Sequence, residues 1–243
     1  MSRFFVPDLM SSRATGTVVL EGTEAHHALH VLRMKAGEEL TLFDGVGHVA
    51  LATVTSPGRK SVDCRLKGEI KTSPAPSPEI TLMVAPPKGD RVNWLIEKAT
   101  ELGVTTLIPL STTRSTVDPR DGKLERLRQT VVSACKQCHR DWLMKIREQV
   151  SLKELLSQPL STPTWFGSLA EPPLGNIDAR SATSREPLTQ LTILVGPEGG
   201  WTPDEESRLL AQGALPVHLG SYVLRTETAA IALTAKALAA CSA

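Results

Sequence analysis

Neither sign of charge dominates this chain: Lys and Arg number 27, Asp and Glu 26, and the formal net charge is +1. A balance that close excludes a global field able to drive the protein onto nucleic acid or an anionic membrane. Cysteine is scarce, with 4 in 243 residues, too few and too scattered for a disulfide framework. No apolar run has the length to span a bilayer, and the opening "MSRFFVPDLM" is too short and too polar for a signal peptide. The expectation is a soluble, cytoplasmic protein, and the length allows one large domain or two modest ones.

The scarce cysteines contain one pattern that needs an answer. Cys135-Lys136-Gln137-Cys138-His139 spells the haem-attachment string. It lies in "LERLRQTVVSACKQCHRDW", where Leu124, Leu127, Val131, Ala134/Cys135 and Cys138 recur at helical spacing and form an apolar face. Zinc needs a second pair of ligands, and Cys64, Cys241 and His218 offer no matching spacing. The cysteines read as core residues, and no metal is expected. His26, His27 and His30 do not change this, since a helix places only His26 and His30 on one face.

What the chain does contain falls into two textures, divided by "KTSPAPSPE" with its alternating prolines. Before this linker come short alternating runs ("TGTVVLEG", "EELTLFDG", "HVALATVT", "SVDCRLKG") bounded by turn residues, which predict a small β-barrel. One helix, "GTEAHHALHVLRM", interrupts them, with Thr23 as its expected N-cap. After the linker, strands alternate with helices, from "EITLMVAPP" and "GDRVNWLIEKATELG" to "LTILVG" and an Ala-rich C-terminal helix. That alternation predicts a parallel α/β sheet with ligands at the strand C-terminal ends. The expected division is 1–72 for the barrel, 73–79 for the linker and 80–243 for the second domain. Glu171 to Thr189 reads as a polar, proline-rich loop.

The stretch "ILVGPEGGW" leads from a strand into a glycine turn, and "TPDEESRLL" behind it reads as a helix start. Both phosphate-loop signatures are missing: Gly196, Gly199 and Gly200 do not space as G-x-G-x-x-G, and the turn has no lysine followed by Ser or Thr. Glu198 in mid-turn would repel a phosphate held by the same amides. A second loop repeats the layout in "VHLGSYVLRTETAAIALTAKALAA": strand, Gly220, an apolar bridge ending in Arg225, and a helix starting near Thr226. Two such loops form two walls of one pocket, suited to adenine and to a ligand that is not a polyphosphate.

"VGPEGGWTPDE", "LGSYVLRTETA" and the upstream "KGDRVNWLIEKATELGV" together resemble the SPOUT RNA methyltransferases. Within them the likeness is to the group that methylates uridine N3 of 16S ribosomal RNA. It covers essentially the whole chain, with "RFFV", "HHALHVLRMKAGEELTLFDGVG" and "TTLIPL" also fitting. Ser221-Tyr222 departs from the family's usual Pro-Arg, and "SACKQCHRDW" from its usual "EAxEQxxR". The resemblance implies an α/β fold: a C-terminal SPOUT-type parallel sheet tied in a trefoil knot, plus a small N-terminal PUA-like β-barrel that helps hold RNA. It implies S-adenosyl-L-methionine as cofactor, a homodimer, and 16S ribosomal RNA or the small ribosomal subunit as partner.

Carried onto this sequence, the cofactor contacts are Leu194, Val195, Gly196, Pro197, Glu198 and Gly200 from the first loop. Leu219, Gly220, Ser221, Val223, Leu224 and Thr226 come from the second. Methyl transfer to N3 requires loss of the N3 proton, so the site needs a base or a cation that stabilises the uridine anion. Arg225 is the candidate cation. Glu198 and Glu227 are candidate bases or partners of Arg225, with helix capping the commoner job for Glu227. Expected RNA contacts are Arg3, His26, His27, His30, Arg33 and Lys35 in the barrel, with Lys88, Arg91, Arg114 and Arg140 in the second domain. Two other functions fit the same letters: a methyltransferase of this fold acting elsewhere, such as a tRNA ribose 2′-hydroxyl, and a non-catalytic RNA-binding protein.

Overall fold

The computed structural model describes residues 1–116, 124–169 and 188–241. The expected loop from Glu171 to Thr189 falls, through residue 187, outside them. Two compact units are present, Met1–Ala75 with Val132–Leu143, and Pro76–Val131 with Met144–Ala243.

The first unit is a five-stranded sheet with the order β1-β3-β4-β5-β2. Its strands are β1 (Ser2–Phe5), β2 (Thr17–Leu20), β3 (Glu39–Phe43), β4 (His48–Pro57) and β5 (Val62–Thr72). Strands β1 and β3 pair in parallel and the other pairs are antiparallel. Period-two alternation turns Val18 and Leu20 inward and leaves Val19 half exposed. Phe4, Leu9, Leu40, Leu42, Ala52, Val54 and Cys64 complete this core. The expected helix forms in two parts, α1 (Gly22–His26) and a π-helical turn, His27–Val31. It starts two residues earlier than Thr23 implied: Glu21 is the N-cap, without a side-chain cap bond, and Thr23 lies inside the first turn.

Val132–Leu143 belongs to this unit although it follows the proline-rich linker in sequence. Charge pairing and packing hold it there. Arg3 pairs with Asp141, and Lys136 Nζ lies 2.9 Å from Glu24 Oε2 and 5.3 Å from the Phe4 ring centroid. The cysteine reading is half right. Cys64 and Cys135 are buried, whereas Cys138 and Cys241 are only partly covered. Burial, with help from Asp63, pushes the Cys64 thiol up to about 11, which leaves it an unreactive core group.

The second unit is built on β6 (Glu79–Val84), β7 (Thr106–Ser111), β8 (Lys145–Ile146), β9 (Val150–Ser151), β10 (Thr164–Gly167), β11 (Gln190–Val195) and β12 (Leu215–Val217). All its pairings are parallel, in the order β12-β10-β11-β6-β7-β8, with β9 also on β7. The helices are α2 (Arg91–Glu101), the part of α3 (Leu124–Cys138) before Val132, α4 (Leu152–Leu155), α5 (Pro203–Ala211) and α6 (Thr226–Cys241). Central strands β6 and β11 are buried along their C-terminal halves, the near-continuous apolar run expected of a sheet covered on both faces. From β6 the chain steps through β7 to β8, while β11, β10 and β12 lie on the other side, so the order reverses between β6 and β11. Ligands of open α/β sheets bind at such a reversal, beyond the strand carboxyl ends. Among the described residues, no helix is long and apolar enough to cross a membrane.

Candidate active site

Strands β10, β11 and β12 end near one another, at Gly167, Val195 and Val217, because Phe166 pairs with Leu194 and Gly167 with Val217 in register. The chain leaves each strand in a loop, and the three loops line one pocket: Gly167–Leu169, Val195–Trp201, and Val217–Gly220 continued by Tyr222–Leu224. Arg114, Glu206, Thr226 and Ala229 complete the wall.

The glycine turn after β11 is held from several sides. Gly200 N–H donates to the Pro197 carbonyl at 2.8 Å, with Gly200 at φ 68°, a left-handed conformation that favours glycine. A Cβ on Gly196 would stand 3.0 Å from a ring carbon of Trp201, so glycine lets the backbone pass directly beneath the indole. The indole N–H donates to the Gly167 carbonyl at 2.7 Å, and the ring meets Phe166 edge-on. Arg114 Nη1 donates to the carbonyls of Gly199 (2.7 Å) and Trp201 (3.1 Å).

Behind the turn, Thr202 caps α5 in a full capping box with Glu205, and Pro203 takes the first helical position. Burial alone would push the Glu205 carboxyl up. Hydrogen bonds from Thr113 N–H and Thr202 N–H, each 2.8 Å, outweigh it and hold the group below the usual carboxylate range.

The loop after β12 is different. Tyr222 is 86% exposed and Val223 75%, although both border the pocket. Its tie to the glycine turn is long: Thr226 Oγ1 donates to the Gly196 carbonyl at 3.4 Å.

Of the expected cofactor residues, Val195 to Gly200, Leu219, Gly220, Val223, Leu224 and Thr226 do line the pocket. Leu194 and Ser221 do not. The Leu194 side chain points to the core with Phe166 and Leu209, because alternation along β11 turns it off the pocket. Arg225 is exposed and lies outside the lining, and Glu198 and Glu227 do not partner it. Their partner is Arg91, whose Nη2 lies 2.8 Å from Glu198 Oε1 and Nη1 3.5 Å from Glu227 Oε2. The hydrogen bond to Glu198 raises the Arg91 pKa against the opposing effect of burial. Arg91, an expected RNA contact, engages both carboxylates with its guanidinium.

The remaining RNA expectations divide by exposure. His26, His30, Arg33, Lys35 and Lys88 are exposed. Arg3 is not available, since its side chain is 8% exposed, paired with Asp141 and stacked on Phe43. His27 sits edge-on to Phe4, and burial, then Lys136, lowers its pKa, which leaves a neutral ring near neutral pH. Arg114 donates to the turn carbonyls, and Arg140, in the first unit rather than the second, is half-buried, with burial lowering its pKa.

Sequence reasoning missed the third wall, Gly167–Leu169, together with Trp201, Glu206 and His218. "TWFGS" was legible as a strand, but nothing local marks its end as facing the other two loops. Two carboxylates now border the pocket, Glu198 and Glu206, the latter accepting from Ser168 Oγ at 2.6 Å. Their charge disfavours a polyphosphate and suits a ligand with an apolar flat part and a positive centre.

A family described as an RNA methyltransferase domain matches residues 74–238. The chain belongs to this RNA methyltransferase family. An RNA methyltransferase PUA domain also matches, over residues 20–67. The chain is 30% identical to ribosomal RNA small subunit methyltransferase E of Bacillus subtilis, over 94% of this chain and 93% of that one. A ribosomal RNA small subunit methyltransferase E from Neisseria gonorrhoeae, solved bound to S-adenosyl methionine, matches at TM-score 0.82. The match has 33% identity and covers 97% of this chain and 96% of that one. A putative methyltransferase from Legionella pneumophila, solved with the cofactor SAM, matches at TM-score 0.83 and 28% identity, covering 98% and 97%. As a member of the RNA methyltransferase family, the chain combines a PUA-like unit with a parallel α/β unit that carries the three-loop pocket.

Proposed function

We propose that the protein transfers a methyl group from S-adenosylmethionine to N3 of a uridine in 16S ribosomal RNA, acting in the cytoplasm as a homodimer. One observation carries this reading: an apolar pocket edged by two carboxylates, at the carboxyl ends of three parallel strands, in a member of the RNA methyltransferase family. The pocket's chemistry fits the cofactor. Backbone groups of Val195 to Gly200 and of Leu219, Gly220 and Leu224 offer hydrogen bonds, and their apolar side chains offer a surface for a purine. Glu198 and Glu206 offset a positive charge. When bound, the cofactor supplies a methyl group on a positively charged sulfur.

The chain's own task is to orient the uridine and manage the N3 proton. Arg225, an exposed arginine at the mouth of the second loop, takes the role of stabilising the uridine anion, and Glu198 is the next residue in line. His26, His30, Arg33 and Lys35 of the first unit, and Lys88 of the second, are the phosphate contacts in this reading.

The exposed Tyr222 and Val223, and the apolar residues around α6, support a second copy covering the second loop. The trefoil knot belongs to the same proposal. Its support is that β12 lies at the sheet edge while α6, directly after it, packs on β6 and β11.

Calorimetry with S-adenosylmethionine and S-adenosylhomocysteine tests the cofactor, and light scattering at micromolar concentration tests the dimer. Methylation of 16S RNA by the purified protein, mapped to the base atom, tests the target. Absence of cofactor binding would sink the proposal.

A further inference from the structure

Arg91 is the first residue of α2 and does not line the pocket, yet it touches the glycine turn and the start of the helix that follows the loop after β12. Its Nη2 holds Glu198 of the glycine turn at 2.8 Å. Its Nη1 lies 3.5 Å from Oε2 of Glu227, the second residue of α6, where the chain leaves the second loop. The Glu227 side chain is 8% exposed, and that oxygen has no hydrogen-bond partner. A planar guanidinium can face two carboxylates at once through separate nitrogens, which the point charge of a lysine cannot do at the same spacing.

We infer that Arg91 is a positioning residue that fastens the two cofactor loops to each other through Glu198 and Glu227, so that its loss opens the pocket. The energetics favour a geometric role. The Arg91–Glu198 pair is 33% and 40% exposed, the kind of ion pair that contributes little to stability. Glu227 is another matter, because removing its partner leaves a buried carboxylate uncompensated. The bridge therefore joins a partly exposed pair to a buried carboxylate, and the glycine turn is referenced to the start of α6. The other tie between these loops, Thr226 to the Gly196 carbonyl, is at the long limit of a hydrogen bond.

The ligand's identity rests on the cofactor reading above; the fastening does not. The test uses the full chain as Arg91→Gln, Arg91→Lys and the double variant Arg91→Gln/Glu227→Gln. Amide hydrogen exchange is measured on ligand-free protein, and calorimetry uses S-adenosylhomocysteine. In Arg91→Gln, exchange across 196–201, and from the end of the second loop into the first turn of α6 where Ala229 N–H donates to the Arg225 carbonyl, should quicken by at least about tenfold, and the dissociation constant should rise by a similar factor. Turnover at saturating cofactor should stay within about threefold, a split expected of positioning rather than chemistry. Arg91→Lys should fall between. The double variant, free of the unpaired carboxylate, should regain the parent's melting temperature while keeping the fast exchange and weak binding. Parent-like exchange in both loops of the double variant would overturn the inference and reduce Arg91 to a counter-charge for Glu227. A parent that fails to bind S-adenosylhomocysteine would instead sink the cofactor reading, and the exchange measurement would still decide on Arg91.

Discussion

Two loops of this protein share one layout, strand then glycine then helix, and differ in how they are held. The turn from Gly196 to Trp201 is fixed by Arg114 on two carbonyls, by the indole hydrogen bond to Gly167 and by the capped start of α5. The loop from Gly220 to Arg225 has exposed side chains at Tyr222 and Val223, and its ties lie at its far end, where Ala229 N–H donates to the Arg225 carbonyl and Thr226 makes a long bond to Gly196. The first is preformed, with its backbone dihedrals already chosen. The second leaves Tyr222 and Val223 exposed beside the pocket, the side on which the proposed second copy would sit. Preorganisation is thus divided unevenly across one pocket, and the two walls should respond differently to substitution.

The largest expected effect comes from breaking the rigid wall. Gly196→Val crowds the Trp201 ring, since even its Cβ would stand 3.0 Å from the indole, so the ring or the turn must shift. Binding of S-adenosylmethionine should weaken by more than about 100-fold, while circular dichroism shows the fold retained, since only a loop tip changes. Affinity within a few-fold of the parent would show that the close approach does not matter.

On the open wall, Arg225→Lys keeps the charge and loses the planar fork. If Arg225 stabilises the uridine anion, single-turnover rates with saturating RNA and cofactor should fall about tenfold, roughly 1.4 kcal/mol of transition-state stabilisation. Cofactor affinity and melting temperature should stay near those of the parent. Weaker binding together with lower stability would mean that Arg225 pins the loop instead.

Glu205→Ala tests the support beneath the rigid wall. It removes the reciprocal cap and the acceptor for Thr113, and should lower stability by about 1 kcal/mol in denaturant titration. The pH dependence has a definite sign. The folded-state pKa of Glu205 lies below the ordinary 4.5, so its stabilisation is complete above that value and fades as pH falls below it. The parent and the Ala variant should therefore converge in stability on acidification. A gap that persists in acid would contradict the role.

The smallest effect on the isolated chain should come from Tyr222→Ser. With the side chain 86% exposed, monomer stability should change by less than about 0.5 kcal/mol. Dimer dissociation measured by sedimentation should increase, and an unchanged dissociation constant would remove Tyr222 from the interface.

Much of this was legible in the letters. Pattern periods marked α2 and α5 within a residue or two, because each buries a face whose spacing repeats along its own length, while short apolar runs marked β10 and β11 and alanine content marked α6. The glycine turn and the loop after Gly220 could be named because each is contiguous. Sequence also settled that no phosphate loop is present, through a missing lysine and a carboxylate in the turn. Other features have no local signature. Whether Leu194 serves the pocket or the core depends on which face of β11 the helices cover. Val132–Leu143 joins the first unit through Asp141 and Lys136, whose partners Arg3 and Glu24 lie more than a hundred residues earlier. The third wall at Gly167–Leu169 and the bridge from Arg91 to Glu198 and Glu227 exist only because parallel strands bring distant carboxyl ends together. Local chemistry determined which residues can turn, cap or carry charge. Which of them meet was decided by the sheet order, since a contact between residues far apart in the chain is a property of packing and leaves no period to read.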